Sequence, residues 1–249
     1  MFKSDSAQVF IYLVLICLMF LVLVFFSKDY LFSVVGLVLG DKESQNKFIK
    51  PPHLNINPSV DYIALFNTTI GSFIVDLYEQ NAPQNVNNFV YLATNYYYKG
   101  VRIHRIIPGV LFQSGDRNTL DKDSANDGFG HTGYFIKDEI NWNSLDLDTQ
   151  RKNKLSSLGY KSNQEVTSIP ITPLSLVMAN AGPNTNSSQF FITFSSVSKD
   201  NLKHLQGRFT NIGKVIGGYA TIQQINQISV INEKPSIDVY IQDIIIYKK

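Results

Sequence analysis

Ile103-His104-Arg105-Ile106-Ile107-Pro108-Gly109-Val110-Leu111-Phe112-Gln113-Ser114-Gly115-Asp116 is the stretch that decides how this chain of 249 residues is read. It sets an arginine and a glutamine inside apolar runs suited to strands. A second segment answers it: Val177-Met178-Ala179-Asn180-Ala181-Gly182-Pro183-Asn184-Thr185-Asn186-Ser187-Ser188-Gln189-Phe190-Phe191-Ile192. It too places polar side chains where an apolar strand is expected.

Working outward, residues 62–66 and 72–78 read as strands, and Asn67-Thr68-Thr69-Ile70-Gly71 supplies the turn of a hairpin. Asn81-Ala82-Pro83 is a helix start with proline in the first turn. Val86, Phe89, Val90 and Ala93 follow at the spacing of one apolar helix face. Residues 117–173 are irregular and polar, with Gly128, Gly130 and Gly133 in the early part. Within 217–229, Ile222, Ile225 and Ile228 have roughly helical spacing, and Ile237, Val239 and Ile241 alternate with polar or amphipathic residues as a closing strand would. Many short strands and two helices predict a mainly antiparallel β protein. The pattern alone does not choose barrel or sandwich.

The N-terminus is different material. Residues 9–26 are unbroken apolar sequence. As a helix they would span roughly 27 Å, about one hydrocarbon core. The rival reading is a cleaved signal peptide, but no convincing small-x-small site follows Phe26, and one retained transmembrane helix is expected in an anchor region over residues 1–40. Residues 41–59, with Pro51, Pro52 and Pro58, read as a linker, and a folded domain is expected over 60–249. The short N-terminal tail makes a domain outside the cytoplasm the default for such a single-pass protein.

With 22 basic and 20 acidic residues the net charge is +2, and no block of like charge gives a nucleic-acid footprint. Cys17 is the only cysteine, so no intrachain disulfide can form. The four histidines lie far apart, without zinc-ligand spacing. Ser114-Gly115-Asp116 is not a nucleophile elbow, which sets a serine hydrolase aside.

The two quoted segments resemble, in order and down to single residues, the signature segments of cyclophilins, the peptidyl-prolyl cis/trans isomerases. The resemblance covers about 60–249, apart from residues 140–168, which look like an insertion and hold Trp142. It implies an eight-stranded antiparallel β-barrel capped by two helices. It implies Arg105 as the main catalytic residue and Gln113 as the glutamine that orients it. Asn180, Ala179, Ala181 and Gln189 would line the peptide groove, with Leu111, Phe191 and Leu205 around the proline ring. Asp138-Glu139 resembles the acidic pair that follows the glycine-rich stretch in the family. Three positions depart from the pattern: Val110 stands where phenylalanine is usual, His204 where many members have tryptophan, and Phe209 where many have histidine.

The chemistry suits these residues. X-Pro rotation must break amide resonance, a barrier of about 18–20 kcal/mol. No nucleophile, metal or cofactor is needed. A pocket must hold the ring, and a donor must stabilise the pyramidal imide nitrogen of the twisted transition state. Arginine is always charged and offers a rigid fork of N–H groups. His104, beside it, is expected to be structural. The expected activity is a membrane-tethered isomerase acting on proline-containing polypeptides. The alternative is a weakly active proline-peptide binding module. His204 in place of tryptophan implies weak cyclosporin binding.

Overall fold

The structure, a computed structural model, describes residues 48–121 and 123–249. The span expected over 9–26 lies outside them; among the described residues no helix is long and apolar enough to cross a membrane. Residues 50–249 form one compact unit.

Alternation builds the first hairpin. In β1 (Tyr62–Thr68) every second residue is buried, and the same period runs through β2 (Gly71–Leu77). Six further strands complete the main sheet: β3 (Arg105–Ile107), β4 (Leu111–Ser114), β5 (Ser175–Met178), β6 (Phe190–Thr193), β7 (Asn211–Gly217) and β10 (Ile241–Lys248). Their order is β10-β1-β2-β7-β5-β6-β4-β3, and every pairing is antiparallel. β8 (Val230–Ile231) and β9 (Lys234–Pro235) form a separate short hairpin. The sheet curls into a half-barrel. Its edges meet through the Arg102–Tyr240 bridge rather than a full ladder, with Ile103 N donating to Val239 O at 2.9 Å and Ile241 N to Val101 O at 2.8 Å.

Inside the curl, Phe66, Phe73, Phe89, Phe112, Phe190, Phe194 and Tyr98 are all essentially inaccessible to water. Phe66 stacks on Phe73 at 4.6 Å, and Phe190 meets Phe89 edge-on at 5.9 Å. Such offset and edge-on pairs suit the ring quadrupole. Phe89 comes from α1 (Pro83–Thr94), which also buries Val86, Leu92 and Ala93 and packs against β10. α4 (Tyr219–Asn226) buries Ile222 and Ile225 and packs over β2 and β4. These are the two expected helices.

Several expectations change. Two more α-helices exist among the described residues, α2 (Thr149–Ser157) and the short α3 (Lys199–Lys203), and a 3-10 turn runs over Arg117–Leu120. α2 lies in the stretch read as irregular, where Ile140, Trp142, Leu155 and Tyr160 make a small core of their own. Leu155 is its only large apolar residue, so the sequence carries no helical period there. The closing strand begins at Ile241, and Ile237 is exposed. Residues 53–56, within the stretch read as a linker, lie against α1. Asn87 Oδ1 accepts from Asn55 N and Ile56 N, and its amide donates to His53 O.

Candidate active site

β3 and β4 pair in the register that sets Arg105 opposite Gln113. Directly opposed residues project to one face of a sheet, so the two side chains meet. Arg105 Nη1 donates to Gln113 Oε1 at 3.3 Å. Gln113 Nε2 donates to Gln189 Oε1 at 2.8 Å. Gln189 Nε2 donates to the carbonyls of Gly128 and Gly130, at 3.0 and 2.7 Å. That glycine loop is itself held by the buried Asp116, whose Oδ2 accepts from Gly128 N and Gly130 N. A Cβ on Gly130 would lie 1.9 Å from Asp116 Oδ1, so only glycine fits there.

The other side of Arg105 is fixed by a residue that the sequence did not single out. Glu233 Oε2 accepts from Arg105 Nε at 2.6 Å. Glu233 sits at the tip of the β8–β9 hairpin, and its carbonyl accepts from Ile106 N at 2.7 Å. Two edges of the guanidinium are therefore engaged. Among the described residues Nη2 makes no hydrogen bond.

Beside this polar chain lies an apolar cluster. Leu111, Phe191, Leu205, Val177, Ile171, Val197 and Leu202 are buried in it, and Val110, Ala179 and Phe209 pack against it half-buried. Phe209 meets Phe191 edge-on at 5.4 Å. Gln113, Gln189, Ala179, Asn180 and Ala181 line an adjoining cavity of about 230 Å³, rimmed by Phe129, His131 and Phe135. The structure thus brings together every sequence-predicted site residue except the side chain of His204, which is exposed at the end of α3. Among the described residues no group of His, Cys, Asp and Glu could hold a metal ion.

A family model described as cyclophilin type peptidyl-prolyl cis-trans isomerase matches residues 63–246. This chain belongs to the cyclophilin-type peptidyl-prolyl cis-trans isomerases. Peptidyl-prolyl cis-trans isomerase-like 1 of Emericella nidulans is 34% identical over 173 residues, 70% of this chain and 86% of that one. Peptidyl-prolyl cis-trans isomerase-like 2 of Cryptococcus neoformans is 32% identical over 222 residues, 89% of this chain but 30% of that longer protein. A cyclophilin-type isomerase of Cryptosporidium parvum, crystallised in the presence of the dipeptide Ala-Pro, superposes with a TM-score of 0.56 at 27% identity, covering 75% of this chain and 99% of that one.

In this cyclophilin the acidic pair is architectural. The Glu139 carboxylate accepts from Gln84 N, Asn85 N and Asn85 Nδ2, at 3.0, 2.9 and 2.8 Å. It satisfies orphan donors at the N-terminus of α1 and sits at the positive end of its dipole. Asp138 Oδ2 accepts from Asn184 N and its Oδ1 from Asn186 Nδ2, which ties the pair to the loop between β5 and β6. Burial pushes the Asp138 carboxyl up to about 6, despite those two hydrogen bonds. His104 is buried, and neither ring nitrogen makes a hydrogen bond of ordinary geometry among the described residues. Burial pushes it down to about 4, so it is neutral at pH 7 and is not an imidazolium acid there.

Proposed function

We propose that this isomerase turns X-Pro bonds of polypeptides bound across the groove between Arg105 and the Phe191–Leu205 cluster. The observation that carries this is the anchoring of Arg105 at Nε and Nη1, which leaves Nη2 as a pre-organised donor. The imide nitrogen gains a lone pair only when the bond is twisted. A donor aimed there favours the transition state over either ground state. Gln113 holds the arginine and offers its remaining amide N–H to a substrate carbonyl. Leu111, Phe191 and Leu205 take the ring, and Asn180, Ala179, Ala181 and Gln189 lie along the peptide. No proton or covalent bond is exchanged, in keeping with the neutral His104.

Residues 9–26 favour a membrane-tethered role, with clients folding near a bilayer and the catalytic unit outside the cytoplasm. A second reading, a weakly active module that binds proline peptides, draws on Phe209, whose ring packs edge-on against Phe191 where a substrate ring would rest. A protease-coupled assay on a cis-proline peptide separates the two. Robust turnover that falls about 10²–10³-fold in Arg105→Ala, by analogy with loss of one oxyanion-hole donor, supports the enzyme mechanism. Retained turnover in that variant would reject it.

A further inference from the structure

Residues 140–168 have no role in the mechanism above, yet they touch two segments that border the groove, residues 204–207 and Asn180. Their small core ends in two donors aimed at one piece of backbone. Arg151 Nη2 donates to His204 O at 2.7 Å and to Gln206 O at 2.8 Å, while its Nε donates to Gln206 O at 3.3 Å. Trp142 Nε1 donates to Gly207 O at 3.1 Å. Three carbonyls after α3 are therefore satisfied by the insertion, where a helix end would otherwise leave them to water. The fit is close. Gly207 has φ +78°, and a Cβ there would meet Leu147 and Leu155 at 2.6 Å each. This backbone carries Leu205 and Phe209, both members of the apolar cluster.

The insertion also reaches Asn180. Tyr160 OH donates to Asn180 Oδ1 at 3.2 Å. Asn180 Nδ2 donates to Arg208 O at 2.9 Å, and the Arg208 guanidinium lies over the rings of Tyr160 and Phe209 at 5.8 and 5.4 Å. One element thus fastens the backbone of 204–207 from outside and ties it to Asn180.

We propose that residues 140–168 are a fixed brace that sets the position of segment 204–209 relative to Asn180, with Arg151 and Tyr160 as positioning residues acting through Leu205, Phe209 and Asn180. The proposal rests on the isomerase reading for what the groove binds. It assigns the insertion neither to a lid nor to a docking surface, because Trp142, Leu155 and Tyr160 are buried in its own core and the donors of Arg151, Trp142 and Tyr160 are spent on this chain. Arg105 is anchored from elsewhere, on Glu233 and Gln113, so the brace governs grip on the peptide rather than the transition-state donor. Grip common to ground and transition states appears in KM and not in kcat.

The test uses the full-length chain in detergent, with a tetrapeptide containing Ala-Pro as the probe. Peptide affinity is measured by calorimetric titration and turnover by the coupled assay. Arg151→Ala removes a charged donor from two carbonyls and should weaken both peptide affinity and KM by roughly tenfold, with kcat within about twofold. Arg151→Lys should recover part of the loss, because one ammonium reaches only part of the fork's span. Tyr160→Phe deletes a single hydroxyl and should weaken affinity about two- to threefold. It carries the test if Arg151→Ala does not fold. Unchanged affinity in folded Arg151→Ala or in Tyr160→Phe, even with a lower melting temperature, would overturn the brace. So would a fall in kcat at constant KM. Because titration reads the groove without turnover, a parent chain that binds peptide but does not isomerise it would sink the catalytic reading and leave the brace standing.

Discussion

Replacing Glu233 by glycine should move stability and activity in opposite directions. Asn232 and Glu233 form a two-residue hairpin loop, and both have positive φ, 51° and 64°. That is the backbone of a type I′ turn, where Asn-Gly is the favoured pair. A glutamate held in the left-handed region is strained by about 1 kcal/mol. Glycine relieves that strain. Against it stands the loss of the ion pair with Arg105. The pair is short, 2.6 Å, but its side chains are 42% and 47% exposed. Pairs so exposed are worth about 0.2–1 kcal/mol and weaken with salt. The two terms leave Glu233→Gly neutral or more stable by up to about 1 kcal/mol, a rise of roughly 2–4 °C at most in Tm. Catalysis should feel only the loss. A guanidinium freed at Nε must be ordered anew in each turnover, so kcat should fall by up to about fivefold, the equivalent of 1 kcal/mol. KM should hold, since the apolar cluster is untouched. Glu233→Gln, which keeps an acceptor for Nε, should retain most of the rate. Thermal melts run beside coupled kinetics at low and high ionic strength read all of this, and high salt should bring the parent toward Glu233→Gly. Unchanged or faster turnover in Glu233→Gly would refute the idea that Glu233 orients Arg105. A loss of stability and activity in step would show a structural role only.

Three further outcomes are expected. Asp138 and His104 should oppose each other in the pH dependence of stability. In the folded state Asp138 holds its proton up to about 6 against an ordinary 3.8, so its contribution is present below 3.8 and lost as pH rises through 6. His104 stays neutral down to about 4 against an ordinary 6.5, so its contribution is present above 6.5 and lost as pH falls through 4. Each is on the order of 3 kcal/mol. Buried Glu139, also raised, acts in the sense of Asp138. Relative to the parent, denaturant melts of Asp138→Asn should therefore gain stability with rising pH between 4 and 6, and His104→Gln should lose it; parallel profiles for all three proteins would contradict this. A fragment beginning at Lys50 should unfold at higher denaturant than one beginning at Val60, by about 1–3 kcal/mol, because the shorter piece leaves Asn87 without its main-chain partners and removes buried Ile56; equal midpoints would mean that residues 53–56 add nothing. Cyclosporin should bind weakly, and His204→Trp should tighten it by adding apolar surface at an exposed position next to Leu205 of the apolar cluster; nanomolar binding by the parent would reject the role given to that position.

Local sequence was enough wherever the partners are neighbours in the chain. Arg105 and Gln113 lie eight residues apart across one tight hairpin, so strand alternation and the resemblance already put them side by side. The same holds for the alternating faces of β1 and β2 and for the apolar stripe of α1, whose period is written in residues 83–94. What supports the site was not legible, because its contacts join distant segments whose local patterns are unremarkable. Glu233 is 128 residues from Arg105 and reads in sequence as one more charge in a turn. Arg151 sits in a polar helix with a single large apolar residue, and only docking against the carbonyls of 204–206 gives it a role. The sheet's closure was likewise a tertiary matter. Periodicity says which face of a strand is buried, whereas whether the two edges meet depends on the accumulated curl of all eight strands, which here ends in the single bridge between Arg102 and Tyr240.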